Sequence, residues 1–237
     1  TQETQSQTAT GIRFASALSR KTDTEAAVRD LADAVRMQIG QGAIHLAFVF
    51  FSPHHAQKAD LIAGMIREEL SVEVCLGCSG EGVIADGEEL ETAAALTLWV
   101  GCLPRVRLHP LRLAFSEIQD QIQMPGWPDP SAAPSTFILL ADPFSTPIHD
   151  VLTVMAERYP NAQAVGGLAG GGRGAGDNRL LKDGEIFDGG VVGVQLSGPV
   201  AIRTVISQGC CPIGERYVVT RAEQNMVYEL GGKPALT

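Results

Sequence analysis

The chain is poor in aromatic residues, which make up 5% of its 237 positions. Its core must therefore be aliphatic, built from Val, Ile, Leu and Ala and turned tightly by 26 glycines. It has no cluster of Lys or Arg, and its formal net charge is −9. Neutralising phosphates requires concentrated basic charge, so the composition argues against a nucleic-acid partner. Long apolar runs are also missing. Stretches such as Ala43 to Phe51 are about half of the ~20 residues that a membrane-spanning helix needs. There is no Asn-x-Ser/Thr acceptor and no disulfide framework. Cys75, Cys78, Cys102, Cys210 and Cys211 form an odd set within apolar segments, which fits reduced thiols in an intracellular, cytoplasmic setting. The Thr/Gln-rich start, Thr1 to Thr10, lacks the apolar stretch of a signal peptide. A flexible tail over 1–13 is expected, and a processed organelle (plastid) protein is an alternative origin for such a start.

What the chain does contain is a duplication. Residues 44–113 and 134–206 read as two versions of one passage. Ala47-Phe48-Val49-Phe50-Phe51-Ser52-Pro53 returns as Phe137-Ile138-Leu139-Leu140-Ala141-Asp142-Pro143, and Gly77, Gly80 and Gly82 return at the same spacing as Gly167, Gly170 and Gly172. Further on, Leu103-Pro104 returns as Gly198-Pro199 with a longer offset. The Pro-rich stretch 124–134 joins the halves. Two halves that place a glycine loop at the same point suggest a pseudo-symmetric shell around a shared cleft.

Each half reads as strand–helix–strand–loop–strand–strand, and the fold class is α/β, with mixed sheets flanked by helices. Helical spacing covers Phe14 to Met37, with Asp23 or Thr24 as N-cap and Gly40 as the stop. Ile44 to Phe51 is a buried strand. A helix from His54 to Leu70 follows, opened by Ser52 and Pro53. Val72 to Leu76 is a strand ending in the loop Gly77-Cys78-Ser79-Gly80-Glu81-Gly82, and two further strands span Ala93 to Val100 and Val106 to Leu113. In the second half the pattern predicts a strand at Thr136 to Ala141, a helix at Thr146 to Tyr159 and a strand at Gln163 to Gly166. The loop Gly167 to Asn178 then leads to a hairpin turning at Asp183-Gly184. Strands at Val191 to Leu196 and Ala201 to Gln208 follow, and the tail adds Tyr217 to Arg221 and Met226 to Leu230.

Gly80-Glu81-Gly82-Val83-Ile84-Ala85 and Gly170-Gly171-Gly172-Arg173-Gly174-Ala175 both match G-x-G-x-x-A. A dinucleotide site needs a helix after such a loop, whereas Asp86-Gly87 and Gly176-Asp177-Asn178 are turn-like. Glycines that permit tight turns or close approach are the better account. Cys75-Leu76-Gly77-Cys78 has the spacing of metal and redox sites, but no second ligand pair accompanies it. Cys75 is read as a core residue, and Cys78 as a loop thiol able to face a ligand. A Cys78 thiolate enzyme is a further reading. His54, His55 and Cys211 are the residues that a haem site would use.

Four segments together resemble the N-terminal FIST domain. They are Phe50-Phe51-Ser52-Pro53-His54-His55, Leu76 through Ile84, Val165 through Gly172, and Ser207-Gln208-Gly209-Cys210 with Pro212-Ile213-Gly214. The resemblance runs from about Phe14 to Leu236 and implies one domain over 14–237. It implies an intracellular, non-catalytic sensory module of signal transduction, binding a small metabolite such as an amino acid. The implied partners are a C-terminal FIST domain, absent from this sequence, or another signalling or assembly protein. A haem-binding gas sensor and an accessory subunit of a larger assembly are the alternatives. The expected ligand site lies between the glycine loops: Gly77, Cys78, Ser79, Gly80, Glu81 and Gly82 from the first half, and Gly170, Gly171, Gly172, Arg173, Asp177 and Asn178 from the second. Amides freed by the glycines would hold a carboxylate, with Glu81 or Asp177 facing an ammonium.

Overall fold

The computed structural model describes residues 11–85, 87–118, 121–130, 134–205, 213–224 and 226–236. The turn residue Asp86, the cysteines Cys210 and Cys211, and parts of the expected tail, linker and Ala201 to Gln208 strand lie outside these residues. The first element is strand β1 (Arg13–Ser19), so the expected helix is correct only in its later part. The run Ala15, Ala17 and Ser19 is buried on alternate positions, a period of two that short side chains made hard to see. Helix α1 (Thr24–Ile39) starts where the Asp23 carboxylate accepts the Ala26 amide at 2.9 Å, and stops at Gly40 with φ 65°. Its buried stripe is Ala27, Val28, Leu31, Ala32, Val35 and Ile39.

Strand β2 (Leu46–Phe51) leads into two short helices, α2 (Pro53–Ala56) and α3 (Ala59–Leu70), where one continuous helix was expected. Ser52 stands at the start of α2, but its hydroxyl makes no helix cap; it accepts the Ala95 amide at 3.0 Å. Strand β3 (Val74–Ser79) extends through residues expected to form a loop. A hairpin, β4 (Val83–Ala85) and β5 (Glu88–Leu90), and the long strands β6 (Leu96–Cys102) and β7 (Arg107–Leu113) complete the first half.

A small hairpin, β8 (Ser116–Ile118) and β9 (Gln121–Gln123), precedes β10 (Ser135–Ala141), α4 (Ile148–Arg158) and β11 (Ala162–Leu168). The expected hairpin is formed by β12 (Leu180–Lys182) and β13 (Glu185–Phe187), turning at Asp183 and Gly184, which both have positive φ. Strand β14 (Val191–Ser197) follows. The chain divides into two compact units, Thr1–Ile202 and Arg203–Thr237. The second contains a three-stranded antiparallel sheet of β15 (Val219–Glu223), β16 (Met226–Leu230) and β17 (Lys233–Pro234).

Within the first unit the duplication is a repeated sheet nucleus. In one half β2 pairs parallel with β3 and antiparallel with β6; in the other β10 pairs parallel with β11 and antiparallel with β14. The two sheets run β1-β6-β2-β3-β12-β13 and β11-β10-β14-β7. Alternate residues divide each strand between two cores. Ala47, Val49 and Phe51 pack with α1 and α3, whereas Phe48 lies with Leu76, Cys78, Leu140 and Val194. Phe137, Leu139 and Ala141 pack beneath Val151 and Met155 of α4. The order of layers is therefore helices, sheet, sheet, helix, and burial on both faces explains the uninterrupted apolar runs.

Strand pairing corrects the repeat by one residue. Val49 pairs with Gly77, and its counterpart Leu139 pairs with Gly166, not Gly167. The Gly80 amide donates to Phe51 O at 2.9 Å, and the Ala169 amide donates to Ala141 O at 2.8 Å. Gly80 thus corresponds to Ala169, and Cys78 to Gly167. The halves also differ at their edges. The hairpin β12–β13 crosses over to pair with β3, while β4–β5 forms a separate two-stranded sheet and, among the described residues, β11 is an edge strand.

Candidate functional site

The two glycine segments meet. The Gly170 amide donates to Ser79 O at 3.0 Å. Gly171, with φ 85°, lies so close to α2 that a Cβ there would stand 2.7 Å from Pro53 Cγ. The second loop is fastened from below. The Gly172 amide donates to Asn178 Oδ1 and the Arg173 amide to Asp177 Oδ2, each at 2.9 Å. Asn178 Nδ2 in turn donates to Asp142 Oδ1 at 2.9 Å. Asn178 and Asp142 are buried. The amides of Gly80, Gly170, Gly172 and Arg173 therefore already have partners inside the protein. So do the side-chain oxygens Asn178 Oδ1 and Asp177 Oδ2, which act as loop fasteners in this structure.

Two separate concavities flank this junction. One is a shallow groove of about 390 Å³ lined by Gly170, Gly171, Gly172, Arg173 and Asp177, together with Pro53, Ser79 and Arg179. The other is a cleft of about 680 Å³ between the two sheets. Cys78, Ser79, Gly80 and Gly82 lie on its wall with Phe48, Phe50, Thr97 and Trp99, opposite Ile138, Leu140, Gly166, Gly167 and Leu168. Gly77 lines neither; it sits within β3 against the Val49 carbonyl. Glu81 is exposed and lines neither. The structure thus gathers residues of both loops but distributes them over two sites. The aromatic wall was not recognised from the sequence. Its signal was present in Phe48 and Phe50, which share one strand face, and in Trp99, which pairs with Phe48 in the register of β2 and β6.

Cys78 lies in a strand, not a loop, and faces the cleft side of β3. Burial pushes its thiol up to about 12, the reverse of what a nucleophile needs. Cys75 is buried on the helix side, as expected of a core residue, and burial followed by the nearby Asp183 carboxylate also raises it to about 12. Among the described residues no group of three or more His, Cys, Asp and Glu is placed to hold a metal ion. No helix among the described residues is long and apolar enough to cross a membrane.

His55 lines neither concavity, although Pro53 and Ala56 beside it border the groove. Its Nδ1 is 2.9 Å from Thr24 Oγ1, and its Nε2 is buried without a hydrogen-bond partner among the described residues. Burial, then the charges of His54 and Lys58, lower its pKa, against opposing effects from Asp23 and the Lys21 backbone. A histidine with a lowered folded-state pKa prefers to be neutral in the fold. Its stabilising share is complete above the unfolded value of 6.5 and is lost as the pH falls toward the lower folded value. The melting temperature should therefore fall below pH ~6.5, with a shallower slope in His55→Gln. Equal slopes in the two proteins would show that another group controls the acid limb.

Comparison with known proteins places this geometry in a family. The chain is 31% identical over 225 residues to the uncharacterized protein Rv0628c of Mycobacterium tuberculosis, covering 95% of this chain and 58% of that one. It is 29% identical over 214 residues to the uncharacterized protein Mb0898c of Mycobacterium bovis, covering 90% and 55% respectively. The chain thus spans little more than half the length of these curated relatives. The model of the FIST N domain family matches residues 45–233, which include both sheet nuclei and both glycine turns, and the chain belongs to that family.

Proposed function

We propose that this domain senses a small metabolite bound in the cleft between its two sheets. Membership of the FIST N domain family supports a sensory module of signal transduction. The observation that carries the reading is the cleft itself. At about 680 Å³ it falls within the range of small-molecule sites. One wall comes from β2, β3 and β6 and the other from β10 and β11, so a ligand would bridge the two halves and bias their spacing. The turn Gly80–Gly82 lies at its rim and joins it to the neighbouring glycine loop. The expectation of an amino acid held by the loop amides receives less support, because those amides are occupied within the fold. The haem alternative has no imidazole in the cleft. The open edge of β11, with Val165 38% and Leu168 58% exposed, supports an additional protein contact at this end, in keeping with the partner domain that the family resemblance implies.

Thermal stability measured across a panel of metabolites, amino acids included, tests the reading. A ligand at 100 times its dissociation constant stabilises by about 2.7 kcal/mol. In a domain of this size that corresponds to a rise of roughly 5–10 °C. A panel that leaves the melting temperature unchanged at millimolar concentration removes the sensory reading.

A further inference from the structure

The chemistry of the cleft wall restricts what it can hold. Among the described residues that line it, none is Asp, Glu, Lys, Arg or His, and the Cys78 thiol is neutral through the physiological range. A charged ligand group would lose its water there with no opposite charge to replace it, and burying an unpaired ion is strongly unfavourable. The apolar surface is also aromatic, with the Trp99 ring tilted 49° to that of Phe48. Phe48 and Phe50 present nearly parallel rings, with an interplanar angle of 2° and centroids 6.3 Å apart, and Trp99 adjoins Phe48 at 5.8 Å. Phe50 and Trp99 are only half-buried; Trp99 stacks on Phe14 at 5.2 Å, and the area still exposed on the two rings is left for a ligand to cover. Thr97 Oγ1 donates to Ala17 O at 3.1 Å, which leaves its lone pairs to accept a hydrogen bond from a ligand.

The opposite wall supplies the matching space. Gly167 pairs with Leu140 and so shares its cleft-facing side of the sheet. A Cβ added at Gly167 would meet nothing within 4 Å. The first half has Cys78 at the corresponding position, so the glycine opens room over the aromatic wall that a side chain would fill.

We infer that the cleft binds an uncharged, flat, largely apolar molecule carrying one hydrogen-bond donor, of the aromatic or heteroaromatic class, stacked over Phe50 and Trp99. This inference rests on the sensory reading of the same cleft and narrows it to a ligand class. Zwitterionic amino acids fall outside that class, because neither their ammonium nor their carboxylate finds a counter-charge on the wall.

Five probes separate the ligand class from the site, one of them unsubstituted naphthalene, which carries no donor. 2-Naphthamide, 2-naphthoate and 2-naphthylmethylammonium share a ring but differ in charge, and L-tryptophan adds a zwitterion. Affinities are measured by calorimetry on the intact chain and on Gly167→Leu, Phe50→Ala and Thr97→Val. The neutral amide should bind at least tenfold more tightly than each charged probe. Gly167→Leu should reduce its affinity at least tenfold while leaving the melting temperature of the free protein unchanged or raised, since a strand position accepts a side chain more readily than glycine. Phe50→Ala should weaken the amide, and Thr97→Val should weaken it more than it weakens unsubstituted naphthalene. If L-tryptophan or a charged naphthyl probe binds as tightly as the amide and Gly167→Leu blocks it, the cleft remains the site but the uncharged class is overturned. If the amide binds equally well to Gly167→Leu, the site itself is overturned. Absence of amide binding at millimolar concentration also overturns the inference.

Discussion

Gly77→Ala is expected to destabilise the domain by about 3 kcal/mol or more, at the upper end of overpacking effects. The added Cβ would fall on the Val49 carbonyl oxygen of the neighbouring strand. The atom struck first is backbone, with Val49 Cγ1 close behind it, so relief requires β2 and β3 to move apart. β3 cannot yield easily, because it is held by β2 on one side and β12 on the other. Gly166→Ala makes the corresponding clash with Leu139, but β11 is an edge strand and can swing outward, so its cost should be smaller. Gly167→Ala, with open space around the new methyl, should be neutral or stabilising by about 0.5–1 kcal/mol. Chemical denaturation of the three variants checks the order. Equal effects at Gly77 and Gly167 would show that close strand approach is not what requires glycine at Gly77.

Asp142→Ala should cost a further large amount, about 3–5 kcal/mol, for a different reason. The carboxylate is fully buried and accepts from Asn178 Nδ2 at 2.9 Å, from the Ser145 amide at 2.9 Å and from Ser145 Oγ at 2.6 Å. Hydrogen bonds to a charged group contribute about 1.5–3 kcal/mol each, and a buried donor left without an acceptor adds its desolvation cost. Removal would orphan Asn178, whose Oδ1 holds the Gly172 amide. The loop should therefore open before the rest of the domain, and amide exchange at Gly172 should accelerate beyond the global change. Asp142→Asn keeps one acceptor for Asn178 but turns an amide toward Ser145, and should fall between. Stability of Asp142→Ala within 0.5 kcal/mol of the parent would remove the fastening role.

Ser52 occupies the equivalent place in the first half, since the Ser52 amide donates to Ala95 O and the Asp142 amide to Gly190 O, each at 2.9 Å. The pair shows how far the duplication could be read. Apolar runs, the turn at Asp183-Gly184 and the repeated order of elements were legible because they depend on near neighbours. The misassigned β1 was not, because its period-two burial becomes visible only when it pairs with β6, some eighty residues later in the chain. Likewise, one fewer residue separates β10 from β11 than β2 from β3 in register terms. A constant offset therefore equated Gly77 with Gly167, and only the hydrogen-bond ladder identifies Gly166.

The candidate site divides in the same way. The glycine turns, Cys78 and the family were recognisable from residues close together in the chain. A shared cleft was expected, but its lining was not legible, since Phe48, Phe50, Thr97, Trp99, Ile138 and Gly167 come from four strands. The sequence alone determined most of the strands, the helical regions that cover them, the hairpin turn at Asp183-Gly184 and the family, through local periodicity and backbone preference. The tertiary structure decided which strand faces meet across the two sheets and which amides the fold itself consumes. Successive side chains on a strand point to opposite sides, so a shared wall exists only once pairing has set the register and the sheets have stacked.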